Sequence, residues 1–229
     1  MLGILVQLLI SWGILYLYNR KNLSVLGLIP NGRQLQLTMF FLVFAFLCAS
    51  SAYVVRNYVG KEIWDWNPEL TTALFWKGVR WNLQSVWFEE LIFRGAIFYV
   101  LLDRMKPAAA IAISAVAFGI YHWFSYGVFG DPVKMIFVFL TTGLAGVVYA
   151  YGFAKTRTMW VPFALHFGWN FTNNFVFSSG QIGKGVWMMK HQPVIQVSTW
   201  AYYLAVWNPL VMYLVGGFLL IRMIKKVNK

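Results

Sequence analysis

Acidic residues are scarce in this sequence: seven Asp and Glu in 229 residues, against 19 Lys and Arg. Charge of either sign reaches only 11% of the chain, where a soluble domain carries about a quarter, so an ordinary water-facing surface is excluded. Cysteine occurs once, as Cys48, which excludes an internal disulfide and a CxxC zinc ribbon. It lies inside an apolar run and reads as a packing residue. Histidine occurs three times and never as HExxH, so the common helical zinc-protease signature is missing. The basic residues stand scattered between apolar runs, so the net charge of +12 is not the footprint of a nucleic-acid partner.

What is present is hydrophobicity: 60% of residues are apolar and mean hydropathy is +0.62, which places the chain in the membrane class. A bilayer core takes about 20 apolar residues per helix. The chain offers about seven such runs on that criterion, at Leu2–Tyr18, Leu35–Val55, Leu83–Asp103, Ala108–Phe124, Met135–Ala154, Met159–Phe177 and Trp200–Ile221. The segment Leu70–Ser85 sets Lys77 and Arg80 beside Trp76 and Trp81 and reads as an amphipathic interfacial helix, with an eighth short span as the alternative. The expected fold is therefore an all-α, polytopic transmembrane bundle of about seven or eight helices. It forms a single integral membrane domain over residues 1–229 and touches the lipid bilayer directly. The first run lacks a basic leader and a small-residue cleavage site, so it reads as a retained anchor rather than a signal peptide.

Orientation follows from lysine and arginine. Arg20, Lys21, Arg33, Arg104, Lys106, Lys155, Arg157, Arg222, Lys225, Lys226 and Lys229 fall on one side if the spans alternate. The positive-inside rule makes that side cytoplasmic, with the N-terminus outside and the C-terminus inside. Against this, Arg56–Ser85 carries four basic residues on the opposite side. A multi-pass protein of a prokaryotic plasma membrane is expected. Thr142, Gly146 and Ala150 place small residues every four positions in the fifth span, a face suited to close helix packing.

Chemistry concentrates in WFEELIFRGAIFY, residues 87–99. Each ionised group at the middle of a membrane helix costs about 2.5–3.5 kcal/mol. Glu90 and Arg94 are spaced i, i+4 with the acid first, which suits a structural intrahelical ion pair. Glu89 has no lysine or arginine three or four positions away and points about 100° from Glu90 around the helix; a carboxylate at that depth is a candidate functional group. His122 stands near the end of the fourth span. His166 and Asn170, one turn apart in the sixth, share a helix face and can offer two donors to one point. With alternating spans all four are expected in the layer between midplane and outer surface. His191, beside Lys190 and Gln192 in the polar stretch Ser178–Thr199, reads as a solvated loop residue.

Read in order, Glu89-Glu90-Leu-Ile-Phe-Arg94, Phe118-Gly-Ile-Tyr-His122 and His166-Phe-Gly-Trp-Asn170 match EExxxR, FxxxH and HxxxN on separate spans. This set resembles the CPBP intramembrane protease family, the CAAX prenyl protease and bacteriocin-processing enzymes also called Abi. The resemblance covers about Gln84 to Phe177 and implies a catalytic core there. It implies Glu89 as the general base that activates water, His122 as a residue holding that water, and His166 with Asn170 as stabilisers of the tetrahedral oxyanion. The family has also been described as metalloproteases; in that case Glu89, His122 and His166 would be the zinc ligands. The metal-independent form is favoured, with no cofactor.

The resulting expectation is an intramembrane endopeptidase acting on a membrane-associated peptide or protein precursor. Oligomeric state is not legible. Two other classes compete: a non-catalytic membrane scaffold or immunity protein of the same fold, and a proton-coupled small-molecule transporter using the same side chains as a relay. Intact Glu89, His122 and His166 weigh against the first. The absence of paired repeats and broken midplane helices weighs against the second.

Overall fold

In a bilayer every backbone N–H must find a partner within its own segment, so apolar runs become helices. The computed structural model describes residues 2–178, 185–191 and 199–224. Its helices are α1 (Leu2–Asn19), α2 (Gly32–Gly60), α3 (Thr72–Arg94), α4 (Ala96–Arg104), α5 (Pro107–Ser125), α6 (Pro132–Thr156), α7 (Trp160–Phe171) and α8 (Thr199–Met223). Three short strands accompany them: β1 (Ile63–Trp66), β2 (Phe177–Ser178) and β3 (Trp187–His191). The protein is thus predominantly helical, and α1, α2, α5 and α6 are long and apolar enough to cross a membrane.

The remaining expected spans take other forms. The third run is not one helix from Leu83 to Asp103. Residues 70–85 supply the first half of α3 rather than a separate interfacial helix, and the chain breaks at Gly95 before α4. The break needs glycine, because a Cβ at Gly95 would run into the Leu91 carbonyl oxygen. The sixth run stays α-helical only to Phe171. A π-helical turn follows over Thr172–Val176, and the Phe177 N–H donates back to the Thr172 carbonyl. The seventh run is helical, as α8 from Thr199 to Met223. The strands were not anticipated; they are short, and aromatic side chains rather than period-two polarity hold them. His191 is part of β3, opposite Ile63, and not loop. Lys225, Lys226 and Lys229 lie outside the described residues.

The chain forms two compact units. One contains Met1–Thr38, Trp87–Phe163 and Gly217–Lys229; the other contains Met39–Val86 and Ala164–Gly216. In the first, Leu15, Leu91, Phe98, Phe153 and Met159 form the centre of a buried apolar cluster. Helices α5 and α6 approach closely because glycines line the seam: a Cβ on Gly146 would sit 3.1 Å from the Ala115 Cα, and one on Gly143 3.7 Å from the Ala115 carbonyl. A 3-10 turn at Leu23–Leu26 closes on Gly27 at φ +61°. Its carbonyls at Leu26, Gly27 and Leu28 accept from Met159 N–H, the Thr158 hydroxyl and the Trp160 indole, each at 3.0 Å, which anchors the junction of α6 and α7.

In the second unit β3 pairs antiparallel with β1 and parallel with β2, giving the order β1-β3-β2. Tyr53 of α2 stacks on Phe177 at 4.2 Å and meets Trp64 edge-on at 5.1 Å, so the sheet is fastened to α2 by rings. Gly168 lets α7 lie against α2: a Cβ there would stand 2.8 Å from both the Ala45 Cβ and the Leu42 carbonyl.

Candidate active site

Within the first unit the last turns of α3 carry Glu89, Glu90 and Arg94, all buried. Arg94 Nη1 lies 3.2 Å from Glu90 Oε1, both side chains being 0% exposed, so the i, i+4 pairing read from the sequence forms in full burial. The guanidinium also donates through Nη2 to the Gly146 carbonyl at 3.3 Å and lies over the Phe118 ring at 4.3 Å, with Tyr149 at 5.1 Å. Gly146, one of the three small residues at four-residue spacing, therefore has a second task. A side chain there would crowd Arg94 Nη2 at 3.4 Å as well as Phe118. The sequence showed the spacing but not that a carbonyl of this seam would receive the arginine.

Glu89 and His122 are brought together. Glu89 Oε2 is 3.7 Å from His122 Nε2, with the two side chains 10% and 6% exposed. The imidazole Nδ1 stands 2.8 Å from the Phe118 carbonyl oxygen. A carbonyl only accepts, so Nδ1 carries the proton and Nε2 is the ring position turned to the carboxylate. Both Phe118 and His122 thus use the one-turn spacing of FxxxH, in which the carbonyl of the first orients the ring of the second. A separation of 3.7 Å is longer than a direct N···O hydrogen bond and close enough for one water to contact both atoms. Phe118, Tyr121 and Tyr126 pack edge-on around the imidazole at 4.4, 5.3 and 5.2 Å. The two tyrosines were not singled out in the sequence. They flank His122 at i−1 and i+4, and only the packing distinguishes them from the chain's many other aromatics.

Within the second unit His166 is buried, and Asn170 Nδ2 lies 3.0 Å from His166 Nε2. An amide nitrogen only donates, so this ring nitrogen accepts and Nδ1 bears the proton. The pair sits just before the π-turn, and neighbouring residues hold that turn. Asn173 Nδ2 donates to the Trp169 carbonyl at 2.8 Å, and the Tyr53 hydroxyl donates to Asn173 Oδ1 at 2.9 Å. Thr172 donates to the Gly168 carbonyl at 2.7 Å. Trp169 stacks on Tyr213 at 4.5 Å. Asn173 and Tyr53 carry no motif signal; they are visible only once the fold is known. The Glu89–His122 and His166–Asn170 pairs belong to different compact units.

Among the described residues no three His, Cys, Asp or Glu side chains gather as metal ligands.

No curated protein and no solved structure matches the chain. A family model does, and its matched stretch contains Glu89, Glu90, Arg94, Phe118, His122, His166 and Asn170. Residues 71–172 match the family described as type II CAAX prenyl endopeptidase Rce1-like, so the segment that carries both histidine pairs is similar to a CAAX-type protease family.

Proposed function

We propose that the protein is an intramembrane endopeptidase that hydrolyses a peptide bond of a membrane-associated protein or peptide precursor. The observation that carries this reading is the facing of Glu89 Oε2 and His122 Nε2 across 3.7 Å, with the imidazole proton committed to the Phe118 carbonyl. Two acceptors so placed receive the two protons of one water, at about 2.8 Å from each. That water is then oriented with its lone pair outward. Glu89 takes one proton as the oxygen attacks the scissile carbonyl, and the carbonyl π electrons move onto oxygen. The tetrahedral intermediate collapses with cleavage of the C–N bond, and the proton held by Glu89 passes to the leaving amine. The products are a carboxylic acid and an amine, and the base is regenerated.

For His166 and Asn170 we propose the oxyanion role. The Asn170 amide keeps one N–H beyond that given to His166. A donor aimed at developing negative charge is worth about 10²–10³ in rate. Glu90 and Arg94 are structural in this scheme. Catalysis is metal-independent. The catalytic core is about 84–177 in a single integral membrane domain, set in a plasma membrane with the N-terminus outside. That orientation is supported by Lys21, Arg104 and Arg157 collecting at one end of the first unit through Tyr99 and Tyr18.

The test is processing of membrane-associated precursors by the purified protein in proteoliposomes, read by mass spectrometry against the Glu89→Gln variant. Loss of the general base should lower turnover by about 10²–10⁴ while leaving thermal stability near that of the parent. Equal processing by both proteins would overturn the reading.

A further inference from the structure

One end of the first unit gathers cations that the proposed chemistry does not use. Helix α1 ends at Arg20 and Lys21, α4 at Arg104, and α6 at Lys155 and Arg157, while Lys106 opens α5. Tyr99 and Tyr18 hold three of them, Lys21, Arg157 and Arg104. Lys21 Nζ donates to the Tyr99 hydroxyl at 2.8 Å, and the Arg157 guanidinium lies 6.0 Å from the same ring. Arg104 donates to the Tyr18 hydroxyl at 3.0 Å, and that hydroxyl donates to Asp103 at 2.8 Å. Among the described residues of this cluster Asp103 is the single acid against six cations. The Tyr99 hydroxyl raises the Lys21 pKa above its ordinary value, so this amine stays charged.

Two of these arginines also stand on positive-φ backbone, as Lys61 does beyond α2. Arg20 at φ +51° and Arg157 at φ +53° occupy the left-handed conformation just past the last turns of α1 and α6. Their N–H groups donate to Tyr16 O at 2.9 Å and Phe153 O at 2.7 Å, a helix closure that ordinarily uses glycine. The chain places arginine at both positions and accepts the strain. Below Arg20, Tyr16 and Trp12 continue one face of α1: the guanidinium stacks on Tyr16 at 4.5 Å, and Tyr16 on Trp12 at 5.6 Å. Leu9 and Leu17 of the same helix are 68% and 85% exposed. A cationic head above an apolar and aromatic lane matches a molecule with an anionic head and hydrocarbon tails.

We infer that this end of the first unit is a binding site for an anionic phospholipid, its phosphate held by Arg20, Lys21, Arg104 and Arg157 and its acyl chains lying along α1. The site is independent of the protease reading. Cations at helix C-termini also favour the nearby carbonyls, but that benefit is the same in any lipid. The test compares the purified full chain in phosphatidylcholine nanodiscs, in nanodiscs containing phosphatidylglycerol, and in phosphatidylcholine with added inorganic phosphate. Apparent Tm and lipid adducts in native mass spectra are the readouts. Phosphatidylglycerol should raise Tm and form adducts, high salt should erase the rise, and inorganic phosphate should not reproduce it.

Arg20→Gly with Arg157→Gly should be at least as stable as the parent in phosphatidylcholine, because glycine relieves both backbones. Its affinity for phosphatidylglycerol should fall about twenty-five-fold, at about fivefold per cation. If that variant does not fold, Arg104→Gln, at an exposed position, gives the comparison at about fivefold. Equal Tm in the two lipids, an equal rise with inorganic phosphate, or an unchanged lipid response in the variants would each overturn the inference.

Discussion

Replacing either member of the Glu90–Arg94 pair should cost far more than replacing both. The two side chains are fully buried and 3.2 Å apart, with the guanidinium held under Phe118 and Tyr149 and against the Gly146 carbonyl. Glu90→Gln removes the carboxylate 3.2 Å from a buried guanidinium, and Arg94→Met removes the guanidinium from a buried carboxylate. Each single change is expected to destabilise by about 3–5 kcal/mol. For a chain of this size about 1 kcal/mol moves Tm by about 2–4 °C, so each should lower the midpoint by about 6–20 °C. Glu90→Leu combined with Arg94→Met removes both charges while keeping similar volume, and well-packed apolar replacements of buried pairs are often neutral. The double variant should therefore recover most of the loss. Thermal unfolding in detergent micelles, followed by tryptophan fluorescence, measures all three. A double variant that loses the sum of the two single losses would refute the pairing, as would single losses below about 1 kcal/mol, the range typical of exposed pairs.

Other outcomes follow from local geometry. Gly146→Leu should destabilise by about 1–3 kcal/mol through overpacking against Ala115 and Phe118, and Gly146→Ala by less, measured by the same unfolding assay. Asp131 caps α6: its carboxylate accepts from the Lys134 N–H at 3.2 Å and meets Lys134 Nζ at 3.0 Å. The backbone hydrogen bond from Lys134 is the larger cause, with the side chain second, and together they hold the Asp131 carboxyl below its ordinary value. A depressed carboxyl stabilises the fold above its unfolded pKa and loses that contribution as pH falls through its lower folded value. Amide exchange at Lys134 should then be flat from pH 7 to about 5, after correction for intrinsic rates, and lose protection only below about pH 4. Protection lost already near pH 6 would contradict the capping role.

Much of this was legible in the sequence, and the parts that were not share a cause. EExxxR, FxxxH and HxxxN declare themselves because charged and imidazole side chains inside apolar runs are costly and therefore rare. The Glu90–Arg94 pairing follows from helical spacing alone. The division of the third run at Gly95 was hidden because hydropathy is blind to the Leu91 carbonyl that a Cβ would strike. Residues 70–85 looked like a separate interfacial helix since Lys77 and Arg80 interrupt the apolar pattern, yet nothing between Thr72 and Arg94 stops the helix. The strands were missed because Tyr53, Trp64 and Phe177 hold the sheet by ring packing between residues far apart in sequence. Phe118 was legible as a motif residue, but its carbonyl, which orients His122, and the Gly146 carbonyl, which receives Arg94, are backbone groups common to every position.

The wide turn at Thr172–Val176 has a consequence for how the chain tolerates length changes. Such a turn amounts to an α-helix carrying one surplus residue. Deleting a single residue there would restore ordinary winding without opening a gap in the helix. The residues after it would then keep their facing, and Phe177 and Ser178 could still meet Trp187 and Met188 in register. A deletion within Trp160–Phe171, where no surplus residue exists, would instead turn everything after it by about 100° and break that register.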